Sequence, residues 1–111
     1  MKNLLFVCSQ NKLRSPTAET VFSELVGFDV RSAGLNNDAE IPLGNEDVIW
    51  ADYIFVMEQT HKSKLRKRFK KHISSQKVIC LGIPDNYEYM DPRLVAIFNS
   101  VVPPFIGTQS T

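Results

Sequence analysis

Four short strand-like runs recur along this chain, and the segments between them carry loop or helix patterns rather than hairpin signals. The runs are NLLFVC (3–8), FDVRSAG (28–34), ADYIFVM (51–57) and KVICLG (77–82). A run such as NLLFVC, apolar throughout rather than alternating, suits a strand buried on both faces. A helix pattern starts at Ser15, with Ser15 as cap, Pro16 in the first helical position and Gly27 at the C-terminal turn. Its core face would be Ala18, Val21, Phe22, Leu25 and Val26. Residues 35–50 read as a loop with one helical turn near 45–50. HKSKLRKRFKKH (61–72) reads as a helix with Leu65 and Phe69 inward. Asp91 caps a last helix over 91–102, with Pro92 in its first turn and Leu94, Val95, Ile97, Phe98 and Val101 as its apolar stripe. Residues 103–111 read as an irregular tail. Strands alternating with helices predict a single α/β domain over 1–111, a three-layer α/β/α sandwich around a four-stranded parallel sheet. Ligands of such sheets sit beyond the carboxyl ends of the strands, and Cys8 lies at one of them.

Composition narrows the class. An apolar fraction of 43% and a charged fraction of 23% suit a soluble domain with a real core. A net charge of +1 points to neither nucleic acid nor membrane. The longest apolar runs reach about five residues, against roughly 20 for a bilayer span. MKNLLFVCSQN opens like a secretion signal, but its core is short and polar residues stand where a cleavage site belongs. Two cysteines, Cys8 and Cys80, make neither a disulfide framework nor a metal site. The expectation is a cytoplasmic protein with reduced thiols.

VCSQNKLRSPTAE (7–19) leaves a buried strand and enters a helix, so backbone N–H groups converge there at the helix's positive end. That field favours the thiolate of Cys8, the reactive form of a cysteine. Arg14, six positions on, can fold back and grip two oxygens of a tetrahedral oxyanion with its planar fork. Spacing alone leaves a second reading open, in which Cys8 is a small buried hydrophobe ending a strand.

The motif V-C-x-x-N-x-x-R-S-P-x-A-E resembles the phosphate loop of the low-molecular-weight protein tyrosine phosphatases. RSAGL, ADYIFVMEQTHKSKLRKRF and IPDNY (83–87) resemble further blocks of that family, in the family's order. The resemblance implies a phosphomonoesterase acting on phosphorylated protein or small aryl phosphates, binding phosphate as an oxyanion, with no metal or other cofactor. Cys8 would be the nucleophile, Arg14 the phosphate clamp, and Asp85 the general acid and then base. Ser9, Gln10, Asn11, Lys12, Leu13, Arg14 and Ser15 would surround the phosphate. Within that loop Asn11 would hold the backbone shape and Ser15 would hydrogen-bond Cys8. Tyr87 would line the substrate side, with Trp50 and Tyr89 as further candidates. Asp91 also resembles the acid's Asp-Pro setting, but its role as a helix cap explains it, so Asp85 is preferred.

The chain departs from the family pattern at Gln10, where glycine is common, at Leu13, where a second cysteine is common, and at Asn86, where proline is common. The segment between RSAGL and NEDVIW is also shorter, which implies a more open cleft. Two alternatives follow: a phosphate- or phosphoprotein-binding module without turnover, and a thiol-coupled arsenate reductase, which a lone Cys80 ahead of Asp85 disfavours. Residues 61–72 hold seven of the 13 Lys/Arg and no acid, leaving the rest of the chain at −6. This is a solvated helix face or a docking surface for an acidic partner; nucleic acid lacks the interleaved aromatics that base stacking needs. His61 and His72 read as surface or capping residues.

Overall fold

The computed structural model describes residues 2–73 and 76–107. The strands are β1 (Lys2–Cys8), β2 (Phe28–Gly34), β3 (Tyr53–Val56) and β4 (Lys77–Cys80). They form one parallel sheet, as the alternating pattern predicts, and the strand order is β2-β1-β3-β4. The helices are α1 (Arg14–Phe22), α2 (Asn45–Trp50), α3 (Gln59–Arg68), α4 (Pro92–Val101) and the short α5 (Pro103–Ile106). The helical turn at α5 corrects the expectation of an irregular tail from residue 103; residues 108–111 lie outside the described residues.

From Leu4 on, side chains of β1 alternate between two cores, which is why the strand is apolar without interruption from Leu4 to Cys8. Leu4, Phe6 and Cys8 face α1, α4 and α5, packing with Ala18, Phe22, Leu94, Phe98, Val102 and Ile106. Leu5 and Val7 face α2 and α3, packing with Val48, Leu65 and Phe69. Phe6 centres the first core, stacked on Phe22 at 5.6 Å and Phe55 at 5.1 Å and edge-on to Phe98 at 6.0 Å. Central β1 has β2 on one side and β3 on the other, while its flanking helices lie on opposite faces. Its carboxyl end, at Cys8, is therefore the point where the winding of the sheet reverses, the usual crevice for ligands in this architecture.

Helix α1 differs from its predicted form at both ends. It begins at Arg14 with Leu13 as N-cap, and no side chain caps it. Ser15 is inside the first turn and fully buried, its hydroxyl spent on the loop before it. The helix ends at Phe22; a turn through Gly27, at φ +89°, then delivers Phe28 to pair with Lys2. Val26 is thrown outward, 93% exposed, rather than into the core. Asp91 does cap α4, accepting from the Arg93 N–H at 2.9 Å.

Candidate active site

Residues 8–14 form a loop from β1 into α1, and the loop is built around the Cys8 sulfur. The Asn11 N–H donates to Sγ at 3.2 Å, and the Ser15 hydroxyl lies 2.9 Å from it. Asn11 stands in the left-handed region at φ +56°, a conformation that asparagine tolerates better than most residues. Its Oδ1 accepts from Ser15 Oγ at 2.9 Å. Because Ser15 has one proton, that bond makes it an acceptor from a Cys8 thiol. A thiolate would instead draw the Ser15 proton to sulfur, beside the Asn11 N–H.

The loop rests on the segment that follows β2. The Leu35, Asn36 and Glu40 N–H groups donate to the carbonyls of Cys8, Ser9 and Gln10 at 2.9, 3.0 and 3.1 Å. Gly34 lies beneath this contact. A Cβ there would meet the Ser9 carbonyl oxygen at 2.8 Å and the Asn11 nitrogen at 3.0 Å, and would collide with the Ala39 Cβ. Gly34→Ala is therefore expected to cost about 1–3 kcal/mol by overpacking. It should also weaken vanadate binding, because the atoms that must move belong to the loop. Denaturant melts and vanadate titration check both effects.

Arg14 is 3% exposed and doubly anchored. Its Nη1 donates to Glu58 Oε2 at 2.7 Å and to the Ile83 carbonyl at 2.8 Å. Both Nη1 protons are so occupied, which leaves the Nε and Nη2 edge of the fork for two oxygens of a bound oxyanion. Asp85 Oδ1 stands 3.8 Å from Nε. The Arg14 hydrogen bond holds the Glu58 carboxyl below its usual range, with the charges of Arg14 and His61 acting in the same direction.

His61 is not a surface residue: it is 3% exposed and belongs to the wall of the loop. The Glu58 N–H donates to its Nδ1 at 3.2 Å, which puts the ring proton on Nε2, 2.9 Å from Ser9 Oγ. Burial, and then the charge of Arg14, push its pKa below the ordinary 6.5, so the ring is neutral near pH 7. Sequence reasoning missed Glu58 and gave His61 as a surface or capping residue; it does cap α3, accepting from the Glu58 N–H, but is buried against the loop. The faint signal was a side-chain acceptor three residues after Glu58 at a helix start, which is a capping pattern.

Cys8, Ser9, Gln10, Lys12, Leu13, Arg14 and Asp85 line one pocket of about 170 Å³. Asn11 and Ser15 stand behind its wall, 2% and 0% exposed. Asp85, with a side chain 66% exposed, reaches the pocket from the loop after β4. That loop is braced on α1, where Tyr89 Oη meets Thr20 Oγ1 at 2.8 Å and the Met90 N–H donates to Thr17 Oγ1 at 2.9 Å. Three aromatic candidates lie elsewhere. Tyr87 packs on the first core beneath the Arg93 guanidinium, and Tyr89 is turned to α1. The Trp50 carbonyl accepts from Asn3, near the amino end of β1 and away from Cys8.

No protein-family model matches the sequence, and no curated protein matches it. Solved structures do match in fold. An arginine phosphatase from Geobacillus stearothermophilus is 20% identical, over 96% of this chain and 94% of that one, with a TM-score of 0.76. A low-molecular-weight phosphotyrosine phosphatase from Vibrio cholerae O395 is 20% identical, over 96% and 95%, with a TM-score of 0.74. A cysteine-to-serine mutant of an arginine phosphatase, solved with a phosphorylated active-site serine, is 23% identical, over 86% and 90%, with a TM-score of 0.68.

Proposed function

We propose that this chain, which has the fold of the low-molecular-weight protein tyrosine phosphatases, hydrolyses phosphomonoesters through a cysteinyl-phosphate. The observation that carries the reading is the convergence on one pocket of Cys8 and Arg14, the two ends of one loop, with Asp85 from a distant loop. A phosphate seated on the Nε/Nη2 edge of Arg14 and the loop amides would present its phosphorus to Cys8. The thiolate attacks, the S–P bond forms, and the P–O bond to the leaving group breaks as Asp85 gives its proton to the departing oxygen. Asp85, now a carboxylate, takes a proton from water as that water attacks phosphorus. The S–P bond breaks, and inorganic phosphate and thiolate are restored. Arg14 and the loop N–H groups meet the charge on the phosphoryl oxygens in both steps. The phosphorylated serine in the mutant neighbour supports a side chain that carries phosphate in this fold.

Aryl phosphates such as phosphotyrosine are the favoured substrates. Phosphoarginine, which the arginine phosphatases among the neighbours suggest, would bring a cationic leaving group to a pocket that Lys12 lines. The decisive experiment is hydrolysis of phosphotyrosine, p-nitrophenyl phosphate and phosphoarginine in EDTA. Absence of turnover with all three, despite vanadate binding, would leave only a binding module.

The acid assignment has its own test. Asp85→Asn is expected to slow phosphotyrosine hydrolysis by roughly 10²-fold, and p-nitrophenyl phosphate less, because a better leaving group needs less protonation. Asp91→Asn should only weaken the cap of α4. The reverse pattern, with Asp91→Asn inactive and Asp85→Asn active, transfers the acid role to Asp91.

A further inference from the structure

Phosphate capture uses only one end of a larger basic surface. His61 ties the first turn of α3 to the pocket wall through Ser9. Lys64 lies three residues beyond His61, roughly 5 Å along the helix axis, and its charge is felt at that ring. Lys64, Lys67 and Arg68 share one helix face. With Leu35 they line a groove of about 430 Å³. Leu35 is in turn bonded to the loop, its N–H donating to the Cys8 carbonyl at 2.9 Å. Groove and pocket are thus joined through both Ser9 and Cys8. Arg68 is committed to the Leu35 carbonyl and Asn37 Oδ1. Lys64 and Lys67 are exposed, and among the described residues no carboxylate pairs with either.

We propose that this groove receives the acidic flank of a phosphorylated polypeptide whose phosphoresidue sits over Cys8, an inference that rests on the phosphatase reading of the pocket. An extended peptide advances roughly 3.3 Å per residue, so acidic side chains about three to five positions from the phosphoresidue meet Lys64 and Lys67. Leu35 and the lysine stems give the groove an apolar floor on which peptide side chains pack. Nucleic acid fits less well. Among the described residues no aromatic ring lines the groove, and the adjacent Phe69 is 3% exposed, so bases find no ring to stack on there.

The test compares two phosphotyrosyl peptides of equal length, with glutamates or glutamines three to five residues from the phosphotyrosine, placed on each side in turn. Both are assayed beside p-nitrophenyl phosphate with the wild type and the Lys64→Glu, Lys67→Glu double variant. The wild type is expected to favour the glutamate peptide by roughly fivefold in kcat/KM, less at high salt. The variant should lose that preference while its p-nitrophenyl phosphate turnover stays within about twofold, since exposed charges away from the pocket contribute little there. Equal rates on the two peptides in the wild type, or a preference that survives charge reversal, overturn the docking proposal alone. So does single-stranded RNA that competes more strongly than the glutamate peptide. If the wild type hydrolyses nothing, fluorescence anisotropy with the same labelled peptides decides. Glutamate-selective binding lost in the variant upholds the groove while the hydrolase reading fails, and binding indifferent to charge sinks both.

Discussion

Cys8→Ser is expected to reduce phosphotyrosine hydrolysis by roughly four orders of magnitude or more, with vanadate affinity kept within about tenfold. A serine hydroxyl is a poor nucleophile unless a base removes its proton. Among the described residues no base is hydrogen-bonded to the Cys8 sulfur: its partners are the Asn11 N–H and the Ser15 hydroxyl, and His61 is engaged with Ser9 and Glu58. The oxyanion cradle depends on Arg14 and backbone amides that the substitution leaves untouched, so binding and turnover should separate. Single-turnover kinetics and vanadate titration on the same preparation make the comparison. Hydrolysis that survives the substitution would exclude a cysteinyl-phosphate.

Arg14→Lys is expected to cost roughly 10³-fold in kcat/KM, although the charge is conserved. Lysine offers three donors from one nitrogen. Arg14 spends two donors on Glu58 and Ile83 and still presents a planar edge towards the pocket. An ammonium that kept the two anchors would have one donor for the oxyanion; one that turned to the oxyanion would leave the Ile83 carbonyl and Glu58 without their partner. Both choices lose transition-state contacts. The loss should appear mainly in kcat, because the fork matters most as charge moves onto the phosphoryl oxygens. A variant within tenfold of wild type would show that Arg14 acts as a point charge and not as a clamp.

The sheet was legible because each strand pattern depends on neighbours in the chain: NLLFVC is apolar from Leu4 on since both faces of β1 are covered, and FDVRSAG spans β2 to the residue. Cys8, Arg14 and Asp85 could be placed from loop spacing and motif, and they line one pocket. What escaped were pairings that leave no local trace. Arg14 finds Glu58 44 positions away and Ile83 69 positions away, and nothing around Glu58 announces a carboxylate facing a distant arginine. Ser15 followed by Pro16 looks like a helix cap, but its hydroxyl is spent on the Asn11 amide and on the Cys8 sulfur, a contact that the phosphate-loop motif implied and the cap pattern did not. Trp50 was misplaced because the pattern of α2 does not say which end of the sheet its last residue reaches.

Strand β4 has a consequence for the order in which the site fails. It lies at the edge of the sheet, is only four residues long, and none of its residues is fully buried. The segment just beyond it carries both the Ile83 carbonyl that anchors Arg14 and the Asp85 carboxyl at the pocket mouth. The loop around Cys8 is held by central β1, buried from Leu4 to Cys8, and by the buried end of β2 from Ser32 to Gly34. Fraying of one weakly held edge would therefore loosen the anchor of Arg14 and withdraw Asp85 together, before the backbone of the Cys8 loop is disturbed. On the proposed reading, the loop that holds the anion and the segment that supplies the acid leave different strands, β1 and β4.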